Sequence, residues 1–145
     1  MNNRRLWPIL IVILGSFLSG CGQSAAHDSH EMIMVPLEQM PTEVQQASLD
    51  VQKAYQYAAG NPEIFKQIPC YCGCYALHHT SNYDCYVASV AADGTITYDQ
   101  HAVNCVICAN ITQDAVRLLK QGQTVSEVHN FIDASYAKYG TSTGP

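Results

Sequence analysis

The sequence predicts a small, mainly α domain with a cysteine-rich loop and one short β-hairpin. Three observations carry that expectation. Ile107, Ile111, Ala115, Leu118 and Leu119 recur at helical spacing, and Gly122 closes the run. Thr124-x-x-Glu127 has the form of a capping box, with Val125, Val128, Ile132 and Tyr136 following on one face. Two β-prone stretches, 86–90 and 95–98, flank Asp93-Gly94, a dipeptide that favours a tight reversal.

Taken in order, the 145-residue chain opens like a bacterial lipoprotein signal over residues 1–20. Arg4 and Arg5 precede an apolar run at 6–18, shorter than the ~20 residues of a comfortable span. Leu18-Ser19-Gly20-Cys21 then resembles a lipobox. The expectation is cleavage before Cys21 and acylation of its sulfur, with palmitate among the chains, which would hold the protein on the outer face of the cell membrane. Such cleavage leaves five basic residues against twelve acidic ones, a formal charge of −7. That charge offers no electrostatic footprint for nucleic acid or anionic headgroups, so attachment would rest on the lipid.

Residues 21–41 read as a tether. His27, His30, Met32, Met34 and Met40 lie within it, and a polar linker is the preferred reading over a copper-binding arm. The Cys-rich domain is expected over 42–140, with 141–145 a frayed tail. Thr42 and Gln45 suggest a capped start to one helix reaching Gly60, with Val44, Leu49, Val51, Tyr55 and Ala58 inward. A short helix over 63–67 follows, with Pro62 in its first turn and Pro69 ending it. Residues 75–85, rich in Ser, Asn and Asp, suggest an irregular loop. Asn104 is the expected cap of a helix over 105–121.

Apart from Cys21, six cysteines remain: Cys70, Cys72, Cys74, Cys85, Cys105 and Cys108. The first three alternate in Pro69-Cys70-Tyr71-Cys72-Gly73-Cys74. Alternate thiols join poorly to one another, yet they wrap well around a soft ion, and Gly73 eases the turn this requires. Cys105-x-x-Cys108 at a helix start puts two sulfurs on one face, where the helix dipole favours thiolate. Ala109 follows in place of the histidine of a haem attachment. Two separated thiol clusters are how small domains build four-thiolate sites for zinc, and copper(I) suits the same ligands. The surplus thiols allow a disulfide, a second site or a bridged cluster. His79 and His101 are additional candidate ligands, with Asp99 placed to orient His101. His129 is read as an ordinary surface residue.

Two other readings compete with metal binding. One is a structural domain stapled by three disulfides. The other is a thiol–disulfide oxidoreductase using Cys105 and Cys108, although no thioredoxin-like βαβ run precedes them. There is no Ser-His-Asp set, phosphate loop or His-Glu-x-x-His motif to support a hydrolase or nucleotide enzyme, so the metal reading implies a binding protein with no catalytic residues. A metal-handling protein partner would follow from it, of unspecified identity.

The chain resembles the bacterial lipoproteins named after the PCYCGC motif, a family without an assigned function. The resemblance rests on Pro69 to Cys74, on His79, Ser81-Asn82 and Asp84-Cys85, on Asp93-Gly94, on Asp99 with His101-Ala102, and on Cys105 with Cys108. Similar proteins tend to carry glycine where this chain has His78. The resemblance implies a lipoprotein with a single cysteine site and supplies no reaction.

Overall fold

Helix pairs and one hairpin bring the cysteine-bearing segments together. The structure, a computed structural model, describes residues 31–144. The expected signal and Cys21 lie outside the described residues. Five α helices and one hairpin occur within them: α1 (Thr42–Gln45), α2 (Leu49–Gly60), α3 (Pro62–Phe65), β1 (Val87–Val90), β2 (Ile96–Tyr98), α4 (Val106–Lys120) and α5 (Val125–Tyr136). The mainly α expectation holds. None of the described helices is long and apolar enough to cross a membrane.

The long helix α4 packs against both α2 and α5. Ile111, Ala115, Leu118 and Leu119 are buried along it, as their spacing predicts, and Val128 and Ile132 meet them from α5. Ile107 is only partly buried. Tyr55 and Tyr86 meet edge to face at 4.9 Å in the same core, where such pairs add about 0.5–1.5 kcal/mol beyond burial. The predicted capping box of α5 is present: Thr124 Oγ1 accepts from Glu127 N, and the Glu127 carboxylate accepts from Thr124 N. The hairpin is antiparallel, with Val87 opposite Tyr98 and a bulge before Ser89.

Four local expectations need correction. The helix expected from Thr42 to Gly60 is two helices, because Ser48 adopts extended backbone and its hydroxyl caps α2 at Val51 N. The Gln45 amide donates to the Met40 carbonyl instead of completing a box with Thr42, and Leu49 is 69% exposed. Asn104 does not cap α4; the extended residue at that point is Cys105, and Asn104 closes the preceding turn His101–Val103.

The packed body also extends past both expected ends. Ile33 N donates to Asn61 Oδ1, Asn61 Nδ2 donates back to the Ile33 carbonyl, and Met40 is buried. Residues 32–40 are therefore docked on α2 and α3 where a spacer was expected. At the other end Thr143 is buried against Cys70, so residues 141–144 are not frayed. Paired backbone hydrogen bonds and apolar side chains outweigh the polar composition at both ends.

Candidate metal centre

Four separate segments supply the cluster. The first is the PCYCGC stretch. Pro69 ends the turn that follows α3, and both Pro69 and Cys70 are buried. Gly73 has φ +81°, the left-handed turn for which a glycine was expected. This bend swings the chain past Cys72 into the 3-10 turn Cys74–Leu77. The second segment is the 3-10 turn Tyr83–Cys85, the third is the turn His101–Val103, and the fourth is the start of α4, with Cys105 at its cap and Cys108 one turn in.

The sulfurs of Cys70, Cys72 and Cys108 form a triangle, with 3.3 Å between Cys70 and Cys72, 3.4 Å between Cys72 and Cys108, and 3.6 Å between Cys70 and Cys108. His101 Nε2 lies 3.4 Å from Cys72 Sγ. Two groups have all their ligand atoms within 4.8 Å of one another: Cys70, Cys72, Cys85 and Cys108, and then Cys72, His101, Cys105 and Cys108. Five of the six predicted cysteines and His101 thus converge. The Cys74 side chain lies outside the described residues.

His79 belongs to neither group. It is buried beside them, with its ring edge on to His101 at 5.5 Å and its Nε2 3.7 Å from Asp99 Oδ2. Its Nδ1 has no hydrogen-bond partner among the described residues. The Asp99 carboxylate meets the His101 backbone and not its ring as expected: Oδ1 accepts from His101 N, and Oδ2 faces His79. A cleft of about 370 Å³, lined by Leu77, His79, Thr80, Asp84, Val87 and Asp99 among others, opens at this pair. His129 behaves as expected of a surface residue, between the Gln67 carbonyl and Asp133.

The frame holding the cluster is polar, buried at Asn82, Tyr86 and Thr112 and open to solvent at Thr80. Tyr86 Oη and Thr112 Oγ1 are 2.7 Å apart, and Thr112 Oγ1 donates to Asn82 Oδ1 at 2.7 Å. Asn82 Nδ2 donates to the Cys108 carbonyl. Asp84 Oδ2 accepts from the backbone and hydroxyl groups of both Thr80 and Ser81. Thr112, Asn82 and Thr143 were missed from the sequence as positioning residues. Thr112 stands one helical turn after Cys108, and that spacing is the signal that could have found it.

No Sγ pair among the described residues is at bonding distance; the shortest separation given above far exceeds the ~2.05 Å of a disulfide. The sulfurs face several neighbours each, where a stapled domain would give each one partner. The thiol acidities also depart from the sequence reading. Crowding by the Cys105, Cys70 and Cys72 thiols, together with burial, pushes the Cys108 thiol up. Contact with Cys108 pulls the Cys105 thiol down, but Cys72 and burial outweigh it and leave Cys105 raised. The neighbouring thiols and burial thus act against the helix dipole at this position. Closely packed thiols that resist ionising alone are well suited to ionising onto a shared cation. The cysteine groups can hold a metal ion.

A family model described as a protein of unknown function with PCYCGC motif matches residues 10–144. No curated protein and no solved structure matches the chain.

Proposed function

The chain belongs to the family of proteins of unknown function with the PCYCGC motif, and we propose that it is a lipid-anchored protein that holds a soft metal ion, zinc or copper(I), outside the cell membrane. The observation that carries this reading is the convergence of Cys70, Cys72, Cys85 and Cys108 from three segments to within 4.8 Å. Four sulfurs at that spacing are a ligand set for a tetrahedral ion, and thiolate selects zinc or copper(I) over hard cations. Buffering, sensing or delivery of the ion follows from such a site, and delivery implies a metal-handling partner. The anchor is supported by Arg4-Arg5, the apolar run and Leu18-Ser19-Gly20-Cys21.

The test is titration of reduced protein, without oxygen, with zinc and with copper(I). Bound metal per chain is followed in wild type, Cys72→Ser and Cys105→Ser. Stoichiometric binding in wild type, weakened in both variants, is expected. The reading falls if neither ion binds wild type. Lipid labelling should disappear in Cys21→Ala, and its persistence would contradict the anchor.

A further inference from the structure

The two ligand groups overlap. Cys72 and Cys108 belong to both, Cys70 and Cys85 complete one, and His101 and Cys105 complete the other. The first group is a four-cysteine set and the second a three-cysteine, one-histidine set, each of a composition that closes a tetrahedral zinc site. Building on the metal-binding reading, we propose that the centre takes two divalent, zinc-class ions, bridged by the Cys72 and Cys108 thiolates.

Three features support the pair. The first is spacing. Tetrahedral ions with metal–sulfur bonds of ~2.3 Å need sulfur–sulfur edges of about 3.8 Å. The edges Cys72–Cys108 and Cys70–Cys108 are 3.4 and 3.6 Å, so small outward shifts suffice. The second is ligand economy. One tetrahedral ion in the four-cysteine set would leave Cys105 and His101 beside it with nothing to bind, although His101 Nε2 already faces the shared Cys72 sulfur at 3.4 Å. The third is charge. One divalent ion on four thiolates leaves a formal charge of −2 in a buried site. Two divalent ions on the five thiolates leave −1, which is less costly to bury.

The two positions differ in access. Cys70 and Cys85 are fully buried, whereas His101 and Cys105 are half-buried. The four-cysteine position is therefore an inner site and the histidine position an outer, exchangeable one. The inner ion would hold three of the four segments together, His101 and its turn would join through the outer ion, and the outer ion is the one a partner can take.

The experiment is zinc titration of the reduced protein by native mass spectrometry, with cobalt(II) as a spectroscopic substitute. Wild type should saturate at two ions. The cobalt form should show sulfur charge-transfer bands and a magnetic moment below that of two isolated ions, because bridging thiolates couple them. A chelator should remove one ion quickly and the second slowly. His101→Ala with Cys105→Ser should bind one ion in an all-sulfur environment, and Cys70→Ser with Cys85→Ser should bind one in a mixed nitrogen–sulfur environment. Saturation of wild type at one ion, or two uncoupled cobalt ions, overturns the bridged pair and leaves the soft-metal reading standing. Binding of copper(I) with no divalent ion does the same. Binding of neither zinc, cobalt nor copper(I) overturns both. If a double variant loses its helical circular dichroism, the wild-type stoichiometry and coupling decide alone.

Discussion

Thr143 and Cys70, 73 positions apart, exchange two hydrogen bonds: Cys70 N donates to Thr143 Oγ1 and Thr143 N donates to the Cys70 carbonyl, both at 2.9 Å. The end of the described chain is thus a strap across the PCYCGC stretch. A Cβ on Gly140 would lie 2.9 Å from the Tyr71 carbonyl oxygen, which shows how closely the two backbones approach. Thr143→Val removes the acceptor and leaves the Cys70 N–H buried without one. Such a loss costs about 1–3 kcal/mol. Urea unfolding of the reduced, metal-free protein should show it, and alkylation of Cys70 should quicken. An unchanged midpoint would mean that the strap contributes nothing.

Thr112 connects the core to the site. Its hydroxyl joins Tyr86, Asn82 and the Cys108 carbonyl, and all four residues are buried. Thr112→Val keeps the shape and strands the Tyr86 hydroxyl and the Asn82 oxygen. We expect a loss of about 1–3 kcal/mol for each group left unsatisfied. Adding Tyr86→Phe should return part of that loss, because it removes one stranded group. Thermal melts of the single and double variants check this, and a double variant less stable than Thr112→Val would contradict it.

Two left-handed residues bracket the turn after the motif, Gly73 at φ +81° and His78 at φ +63°. Gly73→Ala finds open space around its new methyl, so its cost is backbone strain alone, about 1–2 kcal/mol. His78→Gly should act in the opposite sense. Relief of strain exceeds the extra freedom of the unfolded chain, for a net gain of roughly 0.5–1 kcal/mol. Denaturation midpoints should therefore move in opposite directions, and a destabilising His78→Gly would show that the imidazole makes a contact worth more than the strain.

Metal removal should loosen only part of the loop. The sequence reads 75–85 as an irregular loop with few apolar residues of its own. In the structure, Ser81, Asn82 and Tyr83 are buried, and the Asp84 carboxylate ties down Thr80 and Ser81. Those contacts persist without metal. Hydrogen exchange should rise over 73–78 on chelation and stay slow over 81–85. Equal deprotection of both stretches would contradict this division.

The fold was legible where one residue type has one dominant use. Thr124 with Glu127, Asp93-Gly94 and the apolar stripe of α4 each specify a local geometry that tertiary packing leaves alone. The missed features needed a distant partner. Ser48 is one of several polar residues near α1, and only the packing of Val51 and Tyr55 selects it as the cap. The residues around Met40 and Thr143 look like linker until their backbones pair with α2 and with Cys70. At the site, cysteine spacing announced the ligands, and His101 was legible beside them. The overlap of the two ligand groups was not, because it depends on where three turns and a helix cap meet. The lowered thiol pKa expected at Cys105 and Cys108 is reversed for the same reason: neighbouring thiols, invisible in the local sequence, together with burial outweigh the helix dipole.

The most direct test of the central claim is a thiol count with elemental analysis on native protein prepared without oxygen. We expect zinc or copper bound in stoichiometric amount, with Cys70, Cys72, Cys85, Cys105 and Cys108 all recovered as thiols once the metal is stripped. Protein containing no metal, with these cysteines recovered as disulfides, would contradict it.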